Sequence, residues 1–174
     1  FDGNPSLLVD RSFNFFNPKA GISYKHNKTT YYTSIAIAHK EPNRDDFETG
    51  ITEQPKQEVL YDWETGFNSK GKLFNWGVNI YYMSYKDQLV LTGKINDVGS
   101  YTRTNVTKSY RAGIEIEETW QINTFLTSVG NITLSKNKIE HFTEYFDDYD
   151  NGGQTKNSYS LTDIALIHHQ LFGF

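Results

Sequence analysis

The chain has 174 residues, no cysteine, and 17 basic against 21 acidic residues, for a net charge of -4. Without cysteine there is no disulfide framework, thiolate metal site or cysteine nucleophile, and the acidic balance argues against nucleic acid as a partner, which would call for a basic patch or stripe. Its longest apolar runs, at 35–38 and 164–167, are four residues long, far short of the roughly 20 that a membrane-crossing helix needs.

Taken in chain order, period-2 alternation predicts strands at 18–26, 30–39, 58–68, 73–85, 109–118, 125–136 and 158–167. The predicted links are Asn27-Lys28-Thr29, then 40–57, Ser69-Lys70-Gly71-Lys72, 86–108, 119–124 and 137–157. Short and long connections therefore alternate, so one end of the sheet is trimmed to turns and the other is elaborated. A soluble sandwich seldom keeps that asymmetry over seven strands. An antiparallel up-and-down barrel crossing an outer membrane does, with short periplasmic turns and long extracellular loops. A mean hydropathy of -0.63 does not contradict this, because alternating strands and polar loops average to a soluble-looking value.

Each strand has two faces. Tyr61, Trp63, Thr65 and Phe67 alternate with Asp62, Glu64, Gly66 and Asn68. Phe74, Trp76, Val78, Ile80 and Tyr82 alternate with Asn75, Gly77, Asn79, Tyr81 and Met83. Tyr110, Ala112, Ile114 and Ile116 alternate with Arg111, Gly113, Glu115 and Glu117. Side chains two apart share a face. Two environments suit such strands: an apolar face in a soluble core with the polar face in water, or an apolar face in lipid with the polar face toward a wet lumen. Aromatic residues make up 16% of the chain. Tyr31, Tyr61, Trp63, Phe74, Trp76, Tyr82 and Tyr110 stand near predicted strand ends on the apolar face, where girdles form at the two membrane interfaces.

The segment from Asn75 to Gly99, with Tyr85-Lys86-Asp87-Gln88-Leu89 inside it, is followed by Asn105 and by Ser109-Tyr110-Arg111-Ala112-Gly113-Ile114-Glu115-Ile116-Glu117. This order resembles the barrel of TonB-dependent outer-membrane receptors. In that family a strand ending in a Tyr-Lys/Arg-Asp/Asn-Gln-Leu run leads into a loop and returns through an Asn-X-X-X-Ser-Tyr/Arg-Arg-Gly-Ile/Val-Glu segment. Asn17-Pro18-Lys19-Ala20-Gly21, Glu41-Pro42-Asn43-Arg44-Asp45-Asp46-Phe47, Glu58-Val59-Leu60-Tyr61-Asp62-Trp63, Asn131-Ile132-Thr133-Leu134-Ser135 and Leu161-Thr162-Asp163-Ile164-Ala165 continue the likeness. It covers nearly the whole chain but only a late part of the family's barrel, and 167–174 follow the family poorly. The resemblance implies that residues 1–174 are part of one β-barrel domain, with plug and remaining strands outside the chain. It implies a barrel of ~22 strands around a plug. It further implies uptake of a scarce nutrient across the outer membrane (an iron chelate, cobalamin, or a glycan or peptide handed on by a surface lipoprotein), driven through the plug by the TonB complex. No covalent step and no cofactor is implied. The competing reading is a soluble β-sandwich or lipocalin-like barrel that binds sugars or small molecules.

On the lumen-facing side, Asp62, Glu64, Asn75, Asn79, Arg111, Glu115 and Glu117 are expected to meet plug or substrate. Arg44, Asp45, Asp147, Asp148 and Asp150 are the extracellular-loop candidates. The run 144–153 has oxygen ligands at alternate positions, as a hard cation would need. Residue 158, where an EF-hand would place its bidentate Glu, is Ser, and a solvated loop is the simpler reading of such a charge run. The charges of 40–57 read as a loop salt-bridge network. His168 and His169 are adjacent, so on a strand they point to opposite faces and cannot share a metal. No Gly-X-Ser-X-Gly elbow and no phosphate-cradling glycine loop is present. Asn27, Asn105 and Asn131 each begin an Asn-X-Thr glycosylation pattern, which a bacterial outer membrane leaves unmodified.

Overall fold

The computed structural model describes residues 11–49, 54–95, 101–148, 150, 152–163 and 170–173. They form one antiparallel sheet of β1 (Lys19–His26), β2 (Thr29–Lys40), β3 (Glu58–Lys70), β4 (Phe74–Ile95), β5 (Tyr101–Gln121), β6 (Thr127–Asp147) and β7 (Gln154–Asp163), each paired with its neighbour in sequence. A short β8 (Gln170–Gly173) pairs with 131–134 of β6, below the stretch that β7 occupies. This is the predicted up-and-down order, with every predicted strand present.

The trimmed end is tight. Asn27 turns the β1–β2 hairpin with φ 53°, a left-handed conformation that Asn tolerates better than most residues. Gly71 closes the β3–β4 turn by donating to the Phe74 carbonyl at 2.9 Å, and a β-carbon at Gly71 would lie 2.6 Å from that same oxygen.

The elaborated end differs from expectation in form. Most of 86–108 and 137–157, predicted as loops, is strand: β4 runs to Ile95, β5 starts at Tyr101, β6 runs to Asp147 and β7 starts at Gln154. A ribbon whose two faces meet similar surroundings has no reason to alternate. The period-2 signal fades there while backbone pairing persists. A register shift between Leu91 and Ile95 bends the ribbon, with Gly93 at φ 79° under the Tyr145 carbonyl. The acidic run is corrected likewise: Glu144–Asp147 close β6, and beyond it the Gly152 amide donates to the Asp148 carbonyl at 2.9 Å.

The apolar residues fall into register across the strands. Ile22, Thr33, Thr65, Ile80, Ile114 and Leu134 form one row, and Tyr24, Tyr31, Phe67, Val78, Ile116 and Ile132 the next. The rows of this face stay open to the outside: Ile35 is 61% exposed, Leu134 52% and Ile114 42%. The buried apolar side chains Phe47, Leu89, Val106 and Ile139 all lie toward the elaborated end instead. A soluble sandwich would bury the apolar rows under a second layer, so the structure does not favour that alternative.

Aromatic side chains edge the band on both sides. Phe67 and Trp76 meet edge to face at 4.8 Å near the short turns, and Tyr82 stacks on Tyr110 at 6.0 Å toward the long ribbons. From Phe74 to Ser84 is ten residues of strand, about 34 Å along the chain. At a tilt of ~40° that matches an apolar band about 25 Å tall.

Candidate functional site: the polar wall and its outer rim

The same register that aligns the apolar rows aligns the polar ones on the opposite face. Ala36, Asp62, Met83, Arg111 and Asn137 form one row, next below that of Ala38, Leu60, Tyr85, Ser109 and Ile139 at the rim. Below it run Ser34, Glu64, Tyr81, Gly113 and Ser135, then Tyr32, Gly66, Asn79, Glu115 and Thr133, then Thr30, Asn68, Gly77, Glu117 and Asn131. Asn75 follows between Lys70 and Thr119. All seven residues predicted for this face therefore share it.

The fold brings some of them together. Tyr32 Oη donates to Asn79 Oδ1 at 3.0 Å, and Asn79 Nδ2 donates to Glu115 Oε2 at 3.4 Å, a chain of three strands. Glu117 stands two residues and one row lower on β5, with its Oε1 over Gly77. Arg111 lays its guanidinium over the Tyr85 ring at 5.4 Å, a cation–π contact. Asp62 Oδ1 and Arg111 Nε are shielded from solvent and lack a hydrogen-bond partner among the described residues. Such atoms normally find one.

Sequence reasoning missed the tyrosines of this wall. Tyr32 pairs with Gly66 and Tyr81 with Gly113, and each phenol lies across its glycine. The missing β-carbons let the rings lie flat against the wall instead of standing into the lumen. The signal is a Tyr and a Gly at matched positions on adjacent strands, which shows only once the register is known.

The rim is built by the motif residues. Ser109 Oγ donates to Gln88 Oε1 at 2.6 Å in a buried position, and Asn105 Nδ2 donates to the Asp87 carbonyl at 2.6 Å, where Asp87 sits at φ 54°. Asn105 also grips Lys56, accepting from its amide at 2.8 Å and donating to its carbonyl at 3.0 Å. The segment 40–57 holds a 3₁₀ helix, Arg44–Thr49, that docks on the β5 ribbon. Buried Asp46 pairs with Arg103 at 3.5 Å, and Lys40 pairs with Glu58 at 3.2 Å. This matches the predicted salt-bridge network in kind, with partners supplied by other strands.

The extracellular candidates are not gathered in one place. Arg44 and Asp45 lie on the 3₁₀ helix. Asp147 ends β6 and accepts from Gln154 Nε2 at 2.9 Å, while Asp148 Oδ1 accepts the Asp150 amide at 3.1 Å. The Asp147 and Asp148 carboxylates thus bond within their own hairpin, and no group of three or more metal-ligating side chains occurs among the described residues. His168 and His169 lie outside the described residues.

A family model described as "TonB dependent receptor-like, beta-barrel" matches residues 2–167. Two solved structures are similar. The FrpB iron transporter from Neisseria meningitidis (F3-3 variant) shares 16% identity at a TM-score of 0.57, over 80% of this chain and 25% of its own. The copper transporter OprC shares 14% identity at a TM-score of 0.57, over 76% of this chain and 24% of its own. The chain thus spans about a quarter of the length of these structures. No curated protein matches it. A seven-strand antiparallel sector, apolar on one side and polar on the other, with the family's sequence pattern over nearly its full length, belongs to the β-barrel of the TonB-dependent receptors.

Proposed function

We propose that this chain is a sector of the wall and extracellular rim of an outer-membrane importer that takes up a scarce nutrient with TonB-coupled energy. The observation that carries the reading is the register: polar and charged side chains form continuous rows on one face of a sheet whose other face is an unpacked apolar band. A wall of that kind separates lipid from a wet lumen. The residues of the lumenal rows would hold a plug contributed by the rest of the protein. Glu115 and Glu117 would pair with plug cations, and Asp62 and Arg111, with their unbonded atoms, would take a donor and an acceptor from it. Asn75 at the periplasmic end and Glu64 at mid-height complete that surface. The rim residues Arg44, Asp45, Asp147, Asp148 and Asp150 are candidates for first contact with cargo or with a surface lipoprotein.

The cargo belongs to the classes of iron chelate, cobalamin, or glycan or peptide. The neighbours named as iron and copper transporters support a metal-bearing nutrient among these. The wall performs no covalent chemistry. It positions a plug whose movement, pulled by the TonB complex, opens the lumen.

The test is uptake of labelled ferric chelate, cobalamin and oligosaccharide by cells with and without the full-length receptor, each with and without TonB. Loss of one cargo class on deletion, and equal loss without TonB, is the expected outcome. Uptake of all three unchanged by deletion would overturn the reading.

A further inference from the structure

Met83, the only methionine in these 174 residues, stands half-buried on the polar face, among groups whose hydrogen-bonding capacity is not used up. Its direct partners are Asp62 on β3 and Arg111 on β5. The thioether therefore separates an anion from a cation by two strand spacings, ~10 Å across the sheet. Asp62 Oδ1 and Arg111 Nε are both shielded from solvent and lack a hydrogen-bond partner among the described residues. Tyr85, two residues along the same face, donates its hydroxyl to Met83 Sδ at 3.7 Å and carries the Arg111 guanidinium over its ring at 5.4 Å.

A thioether sulfur is a weak acceptor. This corner of the wall thus holds two donors, a phenol and a guanidinium N–H, beside an atom that satisfies neither well. An oxygen on that sulfur would satisfy both. Shielded polar atoms normally find a partner, and a bond to a charged donor is among the stronger ones. The two sides of the sulfur are also unlike. Oxygen added toward Arg111 meets donors, whereas oxygen added toward Asp62 meets a carboxylate, acceptor against acceptor.

We propose that Met83 is an oxidation site, whose sulfoxide oxygen accepts from Tyr85 Oη and Arg111 Nε and so takes up the donor that otherwise serves the plug. The oxidation rests on the wall geometry alone, and the effect on the plug rests on the function proposed above. The oxidant is a peroxide. A sulfur lone pair attacks one oxygen of hydrogen peroxide, and the S–O bond forms as the O–O bond breaks. That oxygen's proton passes to the departing hydroxide, which leaves as water. Sulfur gives up two electrons and the peroxide takes them. The product is polar and chiral, and each of its two epimers is reduced by a different methionine sulfoxide reductase. The unlike surroundings of the sulfur favour one epimer.

The experiment treats the purified full-length receptor with hydrogen peroxide and follows the peptide that contains Met83 by mass spectrometry. After unfolding, each epimer-specific reductase is applied separately. One reductase should clear nearly all of the Met83 sulfoxide and the other little of it, since one hydrogen bond to a charged donor supports about a ten-fold preference. Tyr85→Phe and Arg111→Leu should each bring the epimers toward equality, with heat-modifiable migration reporting that each variant is folded. Equal epimers in wild type would mean adventitious oxidation and overturn the proposal. So would a preference unchanged in both variants. In intact cells, peroxide should raise permeability to large antibiotics several-fold with the wild-type receptor and not with Met83→Leu, a volume-conserving exchange. One-sided oxidation without a rise in permeability would overturn the coupling to the plug and leave the oxidation site standing.

Discussion

Tyr81 on β4 lies across Gly113, its direct partner on β5: a β-carbon at Gly113 would sit 2.5 Å from the tyrosine hydroxyl and 2.6 Å from Cζ. The same construction recurs one row lower and two strands away, where Tyr32 crosses Gly66 and its hydroxyl reaches Asn79. Aromatic rings laid over cross-strand glycines cover exposed backbone and keep the polar face of the sheet low.

Gly113→Ala should therefore be costly although the position lies on the polar face of the sheet. The added methyl also meets the Leu134 carbonyl at 2.8 Å, so turning Tyr81 away does not relieve it fully. We expect a loss of about 1–3 kcal/mol, the usual range for overpacking. Urea unfolding of the full-length receptor in lipid vesicles measures it. Gly130→Ala, where the nearest atoms are 3.1 Å away at the flexible end of Glu118, should cost clearly less. An equal cost at both glycines would remove the special role of the Tyr81 contact.

Substitution of charge into the apolar band tests which face meets lipid. Ile114, between Ile80 and Leu134, lies midway between the two aromatic edges, and Val78, between Phe67 and Ile116, lies one row nearer the short turns. Ile114→Arg or Val78→Arg should cost ~2–4 kcal/mol in the same vesicle assay, the range for a cation near the bilayer midplane. Glu115→Arg, one residue along on the other face, should fold nearly as well as wild type. The reverse order of costs would invert the face assignment.

Glu115 and Glu117 are expected to hold the plug. Their simultaneous reversal to Lys in the full-length receptor should loosen it and raise the permeability of intact cells to large antibiotics several-fold, with receptor abundance unchanged. Partly solvated pairs of this kind each contribute only about 0–1 kcal/mol, which suits contacts that must yield under force. Antibiotic sensitivity equal to wild type would argue against the assignment.

Asn105 is predicted to be structural at the rim. Its side chain accepts from the Lys56 amide and donates to the Lys56 and Asp87 carbonyls, mimicking a strand partner for the returning segment. Asn105→Ala should leave barrel stability unchanged and speed protease cleavage within 40–57 on intact cells. Loss of three hydrogen bonds, at about 0.5–1.5 kcal/mol each, implies at least a ten-fold change in rate. Arg103→Ala, which removes the 3.5 Å partner of buried Asp46, should act in the same direction. Cleavage at the wild-type rate in both would mean that the 3₁₀ helix is held by other contacts.

The alternation of Tyr61 to Asn68, of Phe74 to Met83 and of Tyr110 to Glu117 determined by itself that these segments are strands with one apolar and one polar face, because side-chain direction follows directly from position in an extended chain. The spacing of turns determined the hairpin order, and the Tyr85-to-Leu89 and Ser109-to-Glu117 runs pointed to the family. Side-chain alternation ended at Tyr85 and Lys136, so the strand extensions beyond them read as loops until backbone pairing revealed them. Tertiary structure alone decided what depends on register: Tyr81 over Gly113, Tyr32 reaching Asn79, Asn105 gripping Lys56, and Lys86 opposite Lys108. In each case the partners are 22 to 49 residues apart, beyond the reach of any local pattern. A one-residue slip in pairing would carry every one of them to the wrong face, and only the folded ladder specifies which residue stands opposite which.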